Sequence, residues 1–171
     1  MAQAARKLSD AEAAYVAGVV DGEGTISLVR HHGGENRRAV VSVANTELRL
    51  LTYLMTTIGA GRITNKRIAQ LHHTPSFTYV IYSRQALALL RQITPFLQTY
   101  KRARAELLLR DYVAVTPRNG RYTEELLAAR TLFEGRFFAI RTRAALAQEE
   151  PRGSFGHCRN DGHEGLPPRR A

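Results

Sequence analysis

Tyr15-Val16-Ala17-Gly18-Val19-Val20-Asp21-Gly22-Glu23-Gly24 is the stretch that decides what this chain folds into. Just upstream, Ser9-Asp10-Ala11-Glu12 is a capping box, in which the Ser9 hydroxyl accepts from the Glu12 backbone N–H while Glu12 reaches back to Ser9, so a helix should begin here. Ala13, Ala14, Val16, Ala17, Val19 and Val20 make that helix apolar on most faces, and Gly22 and Gly24 supply its stop. A helix apolar all round is buried, or packs against two things at once. Ala17 and Gly18 are small enough for a second helix to approach at backbone distance. A symmetric crossing there would bring two Asp21-Gly22-Glu23 termini to one spot, where clustered carboxylates are tolerable only around cations. Carboxylate and carbonyl oxygens with water suit Mg²⁺.

Downstream of Gly24 the apolar period changes from helical to two. Ile26 and Leu28 fall on one face and Thr25, Ser27 and Val29 on the other, up to a turn at Gly33-Gly34. Arg37 to Val43 reads as the return strand, with Ala39, Val41 and Val43 apolar on one side and Arg38, Val40 and Ser42 on the other. From Thr46, Leu48, Leu51, Met55 and Ile58 recur at helical spacing until Gly59-Ala60-Gly61, whose first glycine suits a helix C-cap. A second hairpin follows, Arg62 to Ile68 and Phe77 to Ser83, with His72, His73 and Pro75 in its loop. Ser83 is placed to cap a helix through Ile93 carrying Leu87, Leu89 and Leu90. Pro95 breaks that helix or opens the next, and Lys101 to Tyr112 forms another with Leu107, Leu108 and Tyr112 inward. After the turn Thr116-Pro117-Arg118-Asn119-Gly120, Thr123 starts a last helix running to about Gln148, with Leu126, Leu127, Leu132, Phe133 and Phe137 apolar.

The predicted fold class is therefore α+β: an α-ββ-α-ββ-α core with additional C-terminal helices, its two hairpins forming one antiparallel sheet with helices on one face. The other sheet face carries Ser27, His31, Arg38, Ser42, Arg62, Thr64 and Lys66, polar and partly cationic as in a nucleic-acid-reading sheet. On alternation alone an ordinary solvated face fits as well. The strand from Phe77 to Ser83 is apolar on both sides, and its outward residues cannot be read from the pattern.

Length and charge agree with this plan. With 171 residues and 44% hydrophobic content the chain suits one compact domain, which we place at 1–148, followed by a disordered tail over 149–171. The segment from Pro151 onward has four Gly, three Pro and scarcely any apolar residues. Lys and Arg number 25 against 15 acids, a net charge of +10, and a polyanion is the first partner to consider. From Glu150 on, four Arg oppose three acids, so nearly all of the excess sits on the folded body, which favours a shaped binding surface over an adhesive tail. Cys158 is the only cysteine, which excludes an intramolecular disulfide framework. No stretch approaches the roughly 20 apolar residues of a membrane span, and no apolar leader follows Met1, so an intracellular protein without a membrane partner is expected.

The stretch from Tyr15 to Gly24 resembles the LAGLIDADG motif of homing endonucleases and maturases, in the variant ending Asp-Gly-Glu-Gly, and the resemblance in element order extends from about Ser9 to Tyr112. Family members use two motifs in one chain or one motif in a homodimer. No second copy occurs here, so the resemblance implies a homodimer meeting at Val16, Ala17, Gly18 and Val20, with double-stranded DNA in a long, roughly palindromic site as partner. It implies an enzyme that hydrolyses phosphodiester bonds on both strands, using Mg²⁺, for which Mn²⁺ should substitute, and no small-molecule cofactor. Water activated by the metal attacks phosphorus directly, across the minor groove, and leaves short 3′ overhangs, as in intron homing. Glu23 matches the metal-binding acid and the Gly22 carbonyl a backbone ligand. Asp21 matches a residue that tends to cap the partner's helix, with a metal role still open to it. Asn45, Arg49 and Lys101 match a polar residue after the second strand, a nearby basic residue, and a lysine after the Pro95-Phe96-Leu97 segment.

Each of these three has a plainer reading: Asn45 as a turn residue before a helix, Arg49 as an exposed helical cation, and Lys101 as one of a surface run with Arg102 and Arg104. The main rival function is a nucleic-acid-binding relative without cleavage, such as an RNA maturase or a transcription regulator. Retention of Glu23, both glycines and Lys101 speaks against it. A basic architectural DNA-binding protein ranks last, because it leaves the acidic helix end unexplained. His157, Cys158 and His163 lack a fourth ligand for zinc, and His72 and His73 fit DNA contact and solvent exposure equally.

Overall fold

The computed structural model describes residues 5–30, 32–65, 75–118 and 120–141. Helix α1 spans Asp10–Glu23, strands β1 and β2 span Gly24–Val29 and Arg38–Asn45, and α2 spans Leu48–Ile58. Strands β3 and β4 follow at Arg62–Asn65 and Phe77–Tyr82, then α3 at Ser83–Ile93, a 3₁₀ turn at Thr94–Phe96, α4 at Tyr100–Asp111 and α5 at Glu124–Ala139. The α-ββ-α-ββ-α order is thus present.

Helix α1 starts as its capping box dictates. The Glu12 N–H donates to Ser9 Oγ at 3.3 Å, and the Ser9 N–H donates to the Glu12 carboxylate at 2.8 Å. At its other end the helix passes into β1 without a loop. An added Cβ at Gly24 would stand 2.7 Å from Val20 Cα and 2.8 Å from its carbonyl oxygen, so only glycine lets the strand leave this close to the last turn. Gly59 closes α2 in the left-handed region, φ 68°, donating its N–H to the Met55 carbonyl.

The four strands form one antiparallel sheet in the order β1-β2-β4-β3. Its inner face, with Ile26, Leu28, Ala39, Val41, Val43, Tyr79 and Ile81 buried, packs against Val16, Ala17 and Val20 of α1, Leu51 and Leu54 of α2, and Leu87 and Leu90 of α3 in one core. A one-residue slip would turn every one of those side chains outward, at about 1.5–3 kcal/mol each, so the apolar inner face sets the register. Beyond the last β2–β4 pair, Val40–Tyr82, the Ala39 N–H donates instead to the Tyr112 hydroxyl at 3.2 Å, which ties the end of α4 to the sheet.

Three expectations are corrected. Ser83 does not cap α3: the cap position is Tyr82, without a side-chain bond, and Ser83 itself takes φ 50°, turning the chain straight from strand into helix. On α5 the inward positions are Arg130, Phe133 and Phe137, while Leu127 and Leu132 are exposed. The buried Arg130 displaces the leucines because its guanidinium is fully engaged, donating to Glu134 at 3.2 Å, to the Val115 carbonyl at 3.0 Å, to the Tyr122 hydroxyl at 3.3 Å and to the Arg37 carbonyl. Helix α5 also ends at Ala139, short of Gln148, and residues from 142 onward, with the tail and its His157, Cys158 and His163, lie outside the described residues. So do His31, Lys66, His72 and His73.

A further correction concerns α1. Val16, Ala17 and Val20 are 1%, 0% and 1% exposed, filling this chain's own core, and so cannot meet a second molecule. Of the four positions expected at a dimer interface only Gly18 is open, on a strip with Ala11, Ala14, Tyr15 and Gly22. A helix with apolar residues all round carries no polar stripe to say which side is which.

Placement of the two glycines predicts opposite responses. Gly24→Ala should destabilise by about 1–3 kcal/mol through the clash with Val20, lowering Tm by roughly 3–10 °C in thermal unfolding. Gly18→Ala, at an exposed mid-helix position where an added Cβ meets nothing within 4 Å of its own chain, should stabilise the chain at monomeric dilution by about 0.5–1 kcal/mol.

Candidate active site

A helix ends in carbonyls with no intrahelical donor and a partial negative charge. In α1 the sequence adds Asp21 and Glu23 to that end, so the local field calls for a cation. Lys101, in the first turn of α4, supplies it: its ammonium donates to the Val20 carbonyl at 2.8 Å and to the Asp21 carbonyl at 2.9 Å. The residue is only 6% exposed. Burial lowers the ammonium's pKa below the ordinary lysine value, with the charges of Asp21 and then Glu23 opposing the shift and Arg104 adding to it. The supposed surface run of cations therefore separates. Lys101 is sequestered. Arg104 is half-buried, donating to the Ile140 and Ile26 carbonyls at 3.0 and 3.2 Å, and only Arg102 is a solvated cation, paired with Glu106 at 3.1 Å.

Asp21 is bound on both oxygens within its own chain. Oδ2 accepts from the Gln98 N–H at 2.7 Å and Oδ1 from the Thr99 hydroxyl at 2.6 Å. Thr99 in turn caps α4, its oxygen accepting from the Lys101 N–H at 3.3 Å. Asp21 thus caps a segment of its own molecule, where the resemblance implied the partner's helix. Glu23 and Gly22, by contrast, are exposed, and nothing lies within 4 Å of an added Cβ at Gly22. The arrangement leaves one free carboxylate and one open peptide beside a buried positive charge.

That donor set fits half of a divalent-metal site. Among the described residues no group of three or more His, Cys, Asp or Glu side chains comes together, so Glu23 and the Gly22 carbonyl would need oxygens from elsewhere to complete the shell of a divalent cation. A second copy across the open strip of α1, or a phosphate, would provide them.

Asn45 lies at the same end of the sheet, two residues past the Gly24–Val43 pair. Its Oδ1 accepts from the Glu47 N–H at 2.8 Å, and Glu47 caps α2 by accepting from the Arg49 N–H at 3.1 Å. The turn reading of Asn45 is therefore realised, although the site end is where it sits. Arg49 is exposed in the first turn of α2.

The register settles the outer sheet face. Thr25, Ser42, Val80 and Arg62 form one row across the four strands, Ser27, Val40 and Tyr82 a second, and Ala44, Thr78 and Thr64 a third. The predicted Ser27, Arg38, Ser42, Arg62 and Thr64 thus share this face. Arg38 pairs with Glu35 at 3.1 Å, and the Arg62 guanidinium lies 5.6 Å from the Tyr82 ring centre. The β4 residues on it are Thr78, Val80 and Tyr82, which a strand apolar on both sides hid. Thr99 was also missed, although a threonine two residues before Lys101 is an ordinary helix-cap signal.

This is the fold of the homing endonucleases. Homing endonuclease I-CvuI, solved in complex with its target in the presence of Ca, superposes with a TM-score of 0.62 at 20% identity, over 77% of this chain and 83% of that one. The archaeal intron-encoded homing endonuclease I-Vdi141I, complexed with DNA, gives 0.54 at 16% over 78% and 86%, and the homing endonuclease I-TnaI 0.52 at 17% over 84% and 99%. No protein-family model and no curated protein matches the sequence. No helix among the described residues is long and apolar enough to cross a membrane.

The depressed Lys101 pKa has a measurable sign. Between its folded value and the 10.5 of an ordinary lysine, the unfolded chain holds a proton the folded chain has released, so Lys101 makes stability rise with pH in that window. Denaturant titrations across alkaline pH should show a steeper rise for the wild type than for Lys101→Met; parallel curves would place Lys101 in solvent.

Proposed function

We propose that this chain is a single-motif LAGLIDADG homing endonuclease acting as a homodimer on double-stranded DNA. The observation that carries the reading is the exposed Glu23 and Gly22 at the end of α1, backed by the buried Lys101 ammonium, at one end of a sheet face that carries Arg38 and Arg62. Two copies related by a twofold axis through the open strip of α1 would bring two Glu23 carboxylates together and set two sheets along one duplex. The target would then be long and roughly palindromic. The net charge of +10 supports a polyanionic partner.

Glu23, with the Gly22 carbonyl, would hold Mg²⁺, or Mn²⁺ in its place; the bound ion supplies an acidified water and neutralises phosphate charge. Lys101 contributes a fixed positive charge next to the reacting end, where it opposes the negative charge that builds on the phosphate in the transition state. Because its ammonium is already held by two carbonyls, it needs no reordering when the substrate arrives. Asn45 and Arg49, at the same end, would orient the scissile backbone. Ser27, Arg38, Ser42, Arg62 and Thr64, joined by Thr78 and Tyr82, would face the major groove. One site per copy cuts one strand each across the minor groove, leaving 3′ overhangs.

The test is cleavage of a library of palindromic duplexes with Mg²⁺ or with EDTA, alongside Glu23→Gln, followed by sequencing of the cut ends. Expected are double-strand cuts at one long site that vanish with EDTA and fall at least about 10³-fold in Glu23→Gln, while DNA affinity changes little. Tight binding with no cut at any bound site would instead favour a maturase or regulator.

A further inference from the structure

We infer that Thr99 is a positioning residue for this site: its one hydroxyl joins Asp21 on α1 to the first turn of α4 and thereby holds Lys101 against the end of α1. The inference rests on the function proposed above for Glu23 and Lys101, and names a residue whose role neither the motif nor that reading contains.

Thr99 Oγ1 makes two bonds of opposite sense. It donates to Asp21 Oδ1 at 2.6 Å and accepts from the Lys101 N–H at 3.3 Å. A hydroxyl has one proton and two lone pairs, so it can do both, and among side chains of this size only serine and threonine can. The neighbouring Gln98 N–H donates to Asp21 Oδ2 at 2.7 Å, which leaves the carboxylate bridging two consecutive residues of the segment that enters α4. One residue further along, the Lys101 side chain returns to the Val20 and Asp21 carbonyls at 2.8 and 2.9 Å. The result is a closed circuit: Asp21 side chain to Thr99, Thr99 to the Lys101 backbone, and the Lys101 side chain to the Asp21 backbone.

Each link fixes a different degree of freedom. The Thr99 cap sets where α4 begins, and so where the Lys101 Cα stands. The Asp21 bond sets the distance between α4 and the helix that ends in Gly22 and Glu23. A lysine side chain has four rotatable carbons and would otherwise point its charge into solvent, so the buried position depends on the two backbones being held together. A site in which a displacement of about 1 Å costs as much as 10²-fold in rate depends on such a brace.

Thr99→Val keeps the shape and removes both bonds; Thr99→Ser keeps both bonds. Two readouts are compared. The first is turnover at saturating DNA, separately from DNA affinity and Tm. The second, independent of cleavage, is the rate at which Lys101 is acylated by an amine-reactive ester, read by mass spectrometry against Lys7 in the same molecule. Expected for Thr99→Val are a fall in kcat of about 10–100-fold with DNA affinity within about threefold, and a several-fold rise in Lys101 labelling. Thr99→Ser should return both to near wild type. Unchanged labelling in Thr99→Val, or raised labelling with unchanged kcat, overturns the inference, as does a Ser variant that behaves like Val. If the wild type cuts no DNA, the nuclease reading fails, and the labelling result alone decides whether Thr99 places Lys101.

Discussion

The end of α1 gathers negative charge from three sources, the helix carbonyls, Asp21 and Glu23, and among the described residues the Lys101 ammonium is the cation buried against it. The two hydrogen bonds from the Lys101 ammonium to the Val20 and Asp21 carbonyls answer that charge. Without them the Val20 and Asp21 carbonyls would be left without these donors beside two carboxylates. Because Lys101 belongs to α4 and α1 leads without a loop into β1, the same contact fixes the helix layer to the sheet. Asp21 completes the brace from the other side, and Glu23 is left exposed as the acid with no structural task.

The parts of this arrangement that local chemistry specifies were legible in the sequence. The capping box placed α1, two-residue alternation placed β1 and β2, and Gly59 ended α2 where a left-handed residue was needed. Lys101 came from resemblance, since nothing in the Lys101-Arg102-Ala103-Arg104 run distinguishes its buried member from its solvated one. The brace was not legible at all. Asp21 and Thr99 are far apart in the chain, and their 2.6 Å bond exists only once α1 and α4 have packed. Likewise β4 reads Phe-Thr-Tyr-Val-Ile-Tyr with apolar residues on both faces, and only pairing to β2 and β3 shows Thr78, Val80 and Tyr82 outward. The leucines of α5 misled because amphipathic reasoning gives an arginine no claim to the interior, whereas Arg130 brings its own full set of acceptors.

The two sides of helix α1 meet different surroundings. One side, Ala13, Val16, Ala17 and Val20, is consumed by the core; the opposite strip, Ala11, Ala14, Tyr15, Gly18 and Gly22, is small and mostly apolar yet exposed, with Tyr15 stacked edge-on against Tyr53 at 5.3 Å. The exposed strip and the exposed acid lie on one helix, and among the described residues no group of three or more His, Cys, Asp or Glu side chains comes together. Pairing of two such strips, as in the function proposed above, would cover the exposed strip and bring a second Glu23 to the first.

The most direct test of that claim is sedimentation equilibrium of the wild type and of Gly18→Arg, whose new side chain would point into open space and so should not disturb the fold. The account predicts a dimer for the wild type, and for the variant a monomer that still unfolds cooperatively with a Tm independent of protein concentration. A monomeric wild type, or a Gly18→Arg protein that still associates as tightly, would contradict it and take the second Glu23 away from the site.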